Sequence, residues 1–399
     1  MSLPGPKSTT KLFLLSCIMF AMGGLHAGAL GVVWIYVQSD FDLSLSALGV
    51  LVSVATVGRL VTSVSSGPLI NRFGIARVLI AGIGITGASL LVFAAAPLWI
   101  IVLLAALISG LGSGAMAAGI NAYAAVHFSA RQMNWLHGSF GVGSTIGPFV
   151  ITTIVIDLGL AWRWAYILFG AMRGLILLGF ILTRVEWSLG EAKNKRGERV
   201  HATLRETTRM PIVWLMVLTF MTTTGLELVA GQFSNNFLID ARLIDPKVAS
   251  SWVSMYWASL TVSRFVVGFI ITRIGNGMFL RLSSLGAVCG AALLWSGMSD
   301  ASTLMGLALV GFCIAPFAPL MASDTPGRVG NHHVANAIGF QFTGASLGMA
   351  VLPWLAGTLA EVFGLEILPQ FLVVVMAITF LLHEAILLLE GRRPLSKAV

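Results

Sequence analysis

Three ionisable side chains lie deep inside apolar stretches of this sequence: His26, Arg59 and Glu227. Glu227 stands 16 residues into the apolar stretch 211–238, whereas nearly all other acidic residues lie in polar connections or near the ends of such stretches. At ~1.5 Å of rise per residue, a helix would hold its carboxylate too far from either end to reach water. A charge at that depth costs at least ~2.5–3.5 kcal/mol on membrane-insertion scales, so such residues usually face a cavity and take part in function. We therefore predict proton coupling or substrate binding at Glu227, with a permanent hydrogen bond to a neighbouring helix as the alternative.

His26 and Arg59 extend this chemistry. A histidine titrates near physiological pH, so His26 and Glu227 would form a plausible pair of proton-carrying groups, although a packing role for His26 is equally open. Arg59, halfway along its apolar stretch, could bind an anionic group or form an ion pair with Glu227. Arg173 is another arginine in the middle of an apolar stretch, and the sequence offers no explanation of its role.

Further polar and aromatic residues are candidates for contact with a solute. Asn235 shares a helical face with Glu227 at 100° per residue. The remaining candidates for substrate binding are Asn121, His137, Tyr256, Trp257 and Gln341. The candidates for a gate are Arg72, Arg264, Arg273 and Asp324, with Arg264 expected to bind backbone carbonyls or Asp324.

The composition places these residues in a membrane. The chain is 57% hydrophobic and 10% charged, against about 25% charged residues in soluble domains. Twelve apolar stretches are long enough to cross a bilayer, which takes about 20 residues of helix. Because unpaired backbone groups are costly in hydrocarbon, and the stretches lack the alternating polarity of a barrel, we predict an all-α membrane protein with twelve transmembrane helices.

An internal repeat organises these helices. A shift of 201 residues aligns Gly24 with Gly225, Gly74 with Gly275, Gly143 with Gly344, Gly147 with Gly348, and His26 with Glu227. This repeat predicts two pseudo-symmetric six-helix bundles, at residues 1–182 and 211–399, joined by a basic cytoplasmic linker at 183–210. Such repeats are typical of transporters, in which the two halves rock about a site at the middle of the membrane.

The distribution of basic residues predicts the orientation. With the N-terminus inside, 18 lysines and arginines fall on the cytoplasmic side and three on the external side. Both termini are therefore predicted to be cytoplasmic. This asymmetry accounts for the net charge of +8 without a nucleic-acid partner.

The loop after the second apolar stretch carries Gly67, Leu69, Asn71, Arg72, Gly74 and Arg77. Together with the two halves and the basic central loop, this pattern resembles the cytoplasmic signature of the major facilitator superfamily, Gly-x-Leu-x-Asp-Arg-x-Gly-x-x-Arg. The resemblance covers essentially the whole chain and implies the major facilitator fold. The signature aspartate is Asn71 here and Thr272 in the second copy, so a latch built on that carboxylate is not implied.

A narrower resemblance concerns the substrate. The segments around Glu227 and His137 look like the fucose-permease-related branch of sugar–proton symporters, which implies proton-coupled transport of a small polar solute such as a sugar. That branch carries its proton on a carboxylate of the N-terminal half, and the corresponding stretches 24–27 and 112–115 contain none here. Two alternatives stay open: a drug efflux antiporter, since Gly143, Gly147 and Pro148 resemble part of the drug-antiporter signature, and an organic-anion carrier using Arg59.

The sequence contains no nucleophile–base set and no cluster with metal-ligand spacing, so we expect no enzyme activity, no cofactor and no metal. The expected partners are a small-molecule substrate, membrane lipid and a coupling proton, with sodium as the other ion. We expect a monomer in a bacterial inner membrane, in keeping with the lack of any Asn-X-Ser/Thr acceptor.

Overall fold

The computed structural model describes residues 6–128, 130–187, 204–330 and 332–391, and every regular element in these ranges is helical. The helices are α1 (Pro6–Asp40), α2 (Ser46–Phe73), α3 (Ile75–Ala95), α4 (Trp99–His127), α5 (Ala130–Ile151), α6 (Arg163–Leu182), α7 (Leu204–Thr208), α8 (Pro211–Asn236), α9 (Pro246–Ile274), α10 (Asn276–Ser296), α11 (Asp300–Ile314), α12 (Phe317–Val329), α13 (Val334–Phe363) and α14 (Ile367–Gly391). Short π-helical segments, Thr152–Asp157 and Phe237–Ala241, continue α5 and α8. Most of the predicted linker, residues 188–203, lies outside the described residues.

Eleven helical segments in these ranges are long and apolar enough to cross a membrane, with α11 and α12 forming one segment. The protein is therefore a multi-pass membrane protein. The 29-residue α9 is long enough to be a twelfth span, but it is not among the eleven, and it carries five serines as well as Arg264. The twelfth transmembrane helix stays a prediction.

The chain divides into two compact units. Unit 1 comprises Met1–Asn194 and Leu243–Ala258, and unit 2 comprises Lys195–Arg242 and Ser259–Val399. The first part of α9 thus belongs to unit 1 and the rest to unit 2. The sequence-based boundaries at 1–182, 183–210 and 211–399 stay a prediction.

Glycines determine which helices pack closely in unit 1. A methyl group on Gly143 would overlap the carbonyl oxygen of Ala21, and one on Gly147 would overlap that of Leu25, so α1 and α5 meet backbone to backbone. In the same way, Gly110 of α4 lies against the carbonyl oxygen of Ala55 in α2. Small residues at such contacts allow the close approach that drives helix association in lipid.

Unit 2 repeats this arrangement at the positions predicted by the shift of 201 residues. Gly348 of α13 lies against the carbonyl oxygen of Met221 in α8, and Gly344 lies against that of Val217. The α8–α13 pair therefore corresponds to the α1–α5 pair of unit 1. The turns agree as well, since Gly74 before α3 and Gly275 before α10 have positive φ angles of 80° and 76°.

Prolines interrupt one span. α11 ends at Ile314 and α12 begins at Phe317, with Pro316 between them. Proline has no N–H to donate to the preceding turn, so the helix breaks there. The break falls in the segment that the repeat aligns with the glycine-rich part of α4. α4 itself is continuous, and its Gly112 and Gly119 provide close contacts with α3.

Candidate functional site

An ion pair lies within the helices of unit 2. Arg264 of α9 donates through Nη2 to both carboxylate oxygens of Glu227 in α8, at 3.1 and 3.3 Å. The Glu227 side chain is 22% exposed and the Arg264 side chain 28%. Each charge offsets part of the other's cost of leaving water, and both side chains remain partly accessible at the helix surface. This pair is the centre of the candidate site in unit 2.

The partner of Arg264 differs from the sequence-based expectation. Asp324, which was expected to bind Arg264, accepts instead from Arg328 at 3.1 Å and from Asn276. Arg328, 3% exposed, also donates to Glu390 at 2.5 Å. Residues four apart lie on the same face of a helix, so the local Asp324–Arg328 pair forms within α12. This spacing was the signal in the sequence that could have identified Arg328.

Thr224 and Asn235 of α8 lie on the same helical face as Glu227. Thr224 donates to the backbone carbonyl of Ala345 in α13 at 3.1 Å, and so binds α8 to its partner helix. Asn235 is 1% exposed, and its Oδ1 has no hydrogen-bond partner within the described residues. Gln341 is fully buried and donates to Thr325 at 2.9 Å. Asn235 thus offers a hydrogen-bonding atom, whereas Gln341 is engaged inside unit 2.

Unit 1 holds positively charged groups in its helices. Arg59, in the middle of α2, is exposed, and no carboxylate in the described part of unit 1 forms an ion pair with it. A guanidinium at this depth requires water or a polar partner, because exposure to lipid would be costly. Arg59 therefore has the chemistry of an anion-binding group.

Arg173 and His26 lie near each other in the interior of unit 1. Arg173, 4% exposed, extends from α6 towards Gly23 of α1 and lies 3.8 Å from the sulfur of Met116 in α4. The His26 ring meets Tyr166 of α6 edge-on, with 5.5 Å between ring centroids, and its Nδ1 is buried without a partner in the described residues. Arg173 thus places a guanidinium group in the interior of unit 1.

Acidic residues occur only at the ends of the candidate spans described in unit 1. Asp40, at the end of α1, accepts from Arg163, and Asp157 accepts from Lys247 at 2.5 Å. This hydrogen bond raises the pKa of the exposed Lys247 ammonium, which stands at the start of α9. The acids at the span ends are therefore paired with basic residues other than Arg59.

The remaining predicted residues are dispersed. Asn121 and His137 are exposed, and the His137 ring meets Phe20 at 5.5 Å. Tyr256 and Trp257 are buried and pack edge to face at 5.3 Å. The two gate arginines, Arg72 and Arg273, are exposed at the ends of α2 and α9. The side chains of Asn71 and Thr272, where the signature departs from its family, lie outside the described residues.

Metal ligation has no support in the ranges that the structure describes. They contain no group of three or more histidine, cysteine, aspartate or glutamate residues that could hold a metal ion. The charged groups are instead the Glu227–Arg264 pair in unit 2 and, separately, the arginines within the helices of unit 1.

Comparison with known proteins gives a consistent result. Residues 12–235 and 215–398 match the family profile described as Major Facilitator Superfamily. The chain is 24% identical to Bypass of stop codon protein 6 of Saccharomyces cerevisiae, over 92% of this chain and 81% of that protein. It is 23% identical to the gallate transporter of Pseudomonas putida, over 79% of this chain and 78% of that protein.

A solved structure has a similar fold. It is a bacterial homolog to the human lysosomal transporter Spinster, in an inward-facing and occupied conformation. The TM-score is 0.82 at 13% sequence identity, and the match covers 98% of this chain and 100% of that one.

Proposed function

The chain belongs to the Major Facilitator Superfamily and is a transporter rather than an enzyme, and from this premise we propose that its solute is a small organic anion. The observation that carries this proposal is the sign of the charges in unit 1. Arg59 and Arg173 lie within its helices, while the acids of its described candidate spans stand only at span ends. A positive interior attracts an anion and repels a cation, which weighs against the efflux of cationic drugs.

Arg59 is the group that we propose to bind the solute. Its planar guanidinium can donate two parallel hydrogen bonds to a carboxylate, a geometry that an ammonium group does not reproduce. Arg173 contributes further positive potential within unit 1, and the buried Nδ1 of His26 contributes hydrogen-bonding capacity. The similarity to a gallate transporter supports the same solute class, because gallate is an aromatic carboxylate.

A neutral polar solute such as a sugar is the second candidate. The observation in its favour is Asn235, whose buried Oδ1 lacks a hydrogen-bond partner in the described part of the chain. Buried polar atoms are normally hydrogen-bonded, so an unpaired amide oxygen is suited to a hydroxyl of a bound solute.

The two candidates are separated by ligand stabilisation and by substitution of Arg59. We expect the purified protein to gain thermal stability from aromatic and aliphatic carboxylates, because a ligand that binds only the folded state stabilises it in proportion to RT ln(1 + [L]/Kd). Arg59→Gln should abolish the gain, Arg59→Lys should retain part of it, and the exposed control Arg205→Gln should leave it unchanged. Stabilisation by sugars alone, or an undiminished response in Arg59→Gln, would overturn the organic-anion proposal.

We also propose that Glu227 carries the coupling proton, with Arg264 as its partner in the unprotonated state. Protonation of the carboxylate would remove the charge that Arg264 contacts and so release α8 from α9, coupling proton binding to alternating access. Glu227→Gln should therefore abolish pH-driven accumulation while solute counterflow persists. If pH-driven accumulation persists in Glu227→Gln, a residue other than Glu227 carries the coupling proton.

The setting that we propose is the inner membrane of a bacterium, with both termini cytoplasmic and the transporter acting as a monomer. The excess of lysine and arginine on one side of the spans supports this orientation.

A further inference from the structure

A groove opens in unit 1 where α2 ends and α3 begins. It is lined by Phe73, Ala76, Arg77, Ile80, Ala81 and Arg184, and its volume is about 650 Å³. Pockets of roughly 300–1,000 Å³ are large enough to bury most of a drug-sized ligand. The groove plays no part in the transport chemistry proposed above.

The lining of the groove has two chemically different parts. Phe73, Ala76, Ile80 and Ala81 form an apolar surface on the end of α2 and the first turns of α3. Arg77 and Arg184 supply two exposed guanidinium groups, and neither forms an ion pair within the described residues. A ligand that fits this lining has a negatively charged group joined to an apolar chain.

We propose that this groove binds an anionic phospholipid, with the phosphate between Arg77 and Arg184 and an acyl chain along Ile80 and Ala81. α3 is a membrane-spanning helix that begins at Ile75, so the groove lies at the depth where phospholipid headgroups meet hydrocarbon. Guanidinium groups bind phosphate oxygens in pairs of hydrogen bonds, and basic pockets between transmembrane helices are typical binding sites for anionic headgroups. The apolar part of the lining favours a lipid over a free phosphate ion, because only a lipid has a chain to bury there.

The test measures binding of single lipids to the full-length protein in a neutral detergent, by native mass spectrometry and by thermal stabilisation. Phosphatidylglycerol should bind and stabilise more strongly than phosphatidylcholine, whereas inorganic phosphate and glycerol phosphate should do neither. Arg77→Gln combined with Arg184→Gln should weaken phosphatidylglycerol binding by roughly 30-fold, because each basic side chain near an anionic headgroup contributes on the order of fivefold.

Two further variants make the result specific. Arg205→Gln combined with Arg209→Gln removes the same amount of charge from two exposed positions, one in α7 and one just after it. This double variant should leave phosphatidylglycerol binding unchanged. Ala81→Trp keeps both arginines but fills the apolar part, so it should weaken binding of the lipid without creating a response to phosphate. Equal binding of the two lipids, an equal response to inorganic phosphate, or an equal loss in the Arg205/Arg209 control would overturn the proposal.

Discussion

At the scale of single residues, His26 and Glu227 show what a repeated sequence does and does not determine. The shift of 201 residues places them at matching positions of α1 and α8. Their side chains nevertheless have different neighbours, since His26 meets Tyr166 of α6 while Glu227 binds Arg264 of α9. The partner of Glu227, Arg264, has no counterpart in the first copy, because Ser63 occupies the matching position there.

The Glu227–Arg264 pair yields a prediction about stability. Removing one partner leaves a charge that is only partly solvated, at a cost of ~3–5 kcal/mol for a fully buried pair, and we expect ~1–3 kcal/mol for this partly exposed one. Arg264→Gln should therefore lower the unfolding temperature, and the double variant with Glu227→Gln should recover part of the loss. Thermal unfolding in detergent measures both, with Arg205→Gln as an exposed control. A double variant less stable than Arg264→Gln alone would show that the pair is not the stabilising element.

The sequence predicts the depth of Glu227 but not its contacts. Periodicity and apolar length place a residue along a span, and they identified Glu227, Arg59 and the face that carries Asn235. The partner of a side chain depends on how each helix is rotated and on which rotamer the packing allows. For this reason Arg264 was expected to bind backbone carbonyls or Asp324, and no role could be predicted for Arg173. Arg173 acquires a setting only when α1, α4 and α6 are assembled around it.

At the scale of helices, the glycines that reveal the repeat are also the residues that hold each unit together. Gly143 and Gly147 contact backbone carbonyls of α1, and their counterparts Gly344 and Gly348 contact those of α8. The glycine spacing is therefore repeated within the chain because both units use the same helix-packing arrangement. The sequence alone could not separate this role from helix breaking, because glycine serves both purposes. In α4 the structure assigns close packing, whereas Pro316 breaks the corresponding span between α11 and α12.

This packing predicts different effects for chemically identical substitutions. Gly143→Ala and Gly348→Ala introduce a methyl group that overlaps a backbone oxygen, so each should destabilise by ~1–3 kcal/mol, as overpacked sites do. Gly174 of α6 has nothing within 4 Å of the same added methyl group, which makes it the matched control. Gly174→Ala should be neutral or stabilising by up to ~1 kcal/mol, because alanine favours a helix over glycine. Thermal unfolding of the three variants should separate the first two from the third, and equal effects would contradict the backbone contacts.

At the scale of the whole molecule, the basic residues are distributed so that charge and topology reinforce each other. Each connection predicted to be external carries few lysines or arginines, whereas the connections and ends predicted to be cytoplasmic carry most of the 24. The two arginines of the lipid groove, Arg77 and Arg184, belong to the basic side. One bias therefore sets the proposed orientation and concentrates positive charge where anionic headgroups would meet it.

That orientation makes a prediction about chemical labelling. In a variant without Cys17, Cys289 and Cys313, a single cysteine at Ser44 or Ala301 should react with a membrane-impermeant maleimide in intact cells. Both positions are exposed on the predicted external side, Ser44 in the connection before α2 and Ala301 in the first turn of α11. A cysteine at His332 or Arg209 should react only after the cells are permeabilised, since these exposed positions lie on the predicted cytoplasmic side. Transport measured for each variant controls for correct assembly. The opposite labelling pattern would contradict the proposed orientation. It would place the groove of Arg77 and Arg184 at the external leaflet, and the positive-inside rule would then not explain the excess of positive charge around the groove.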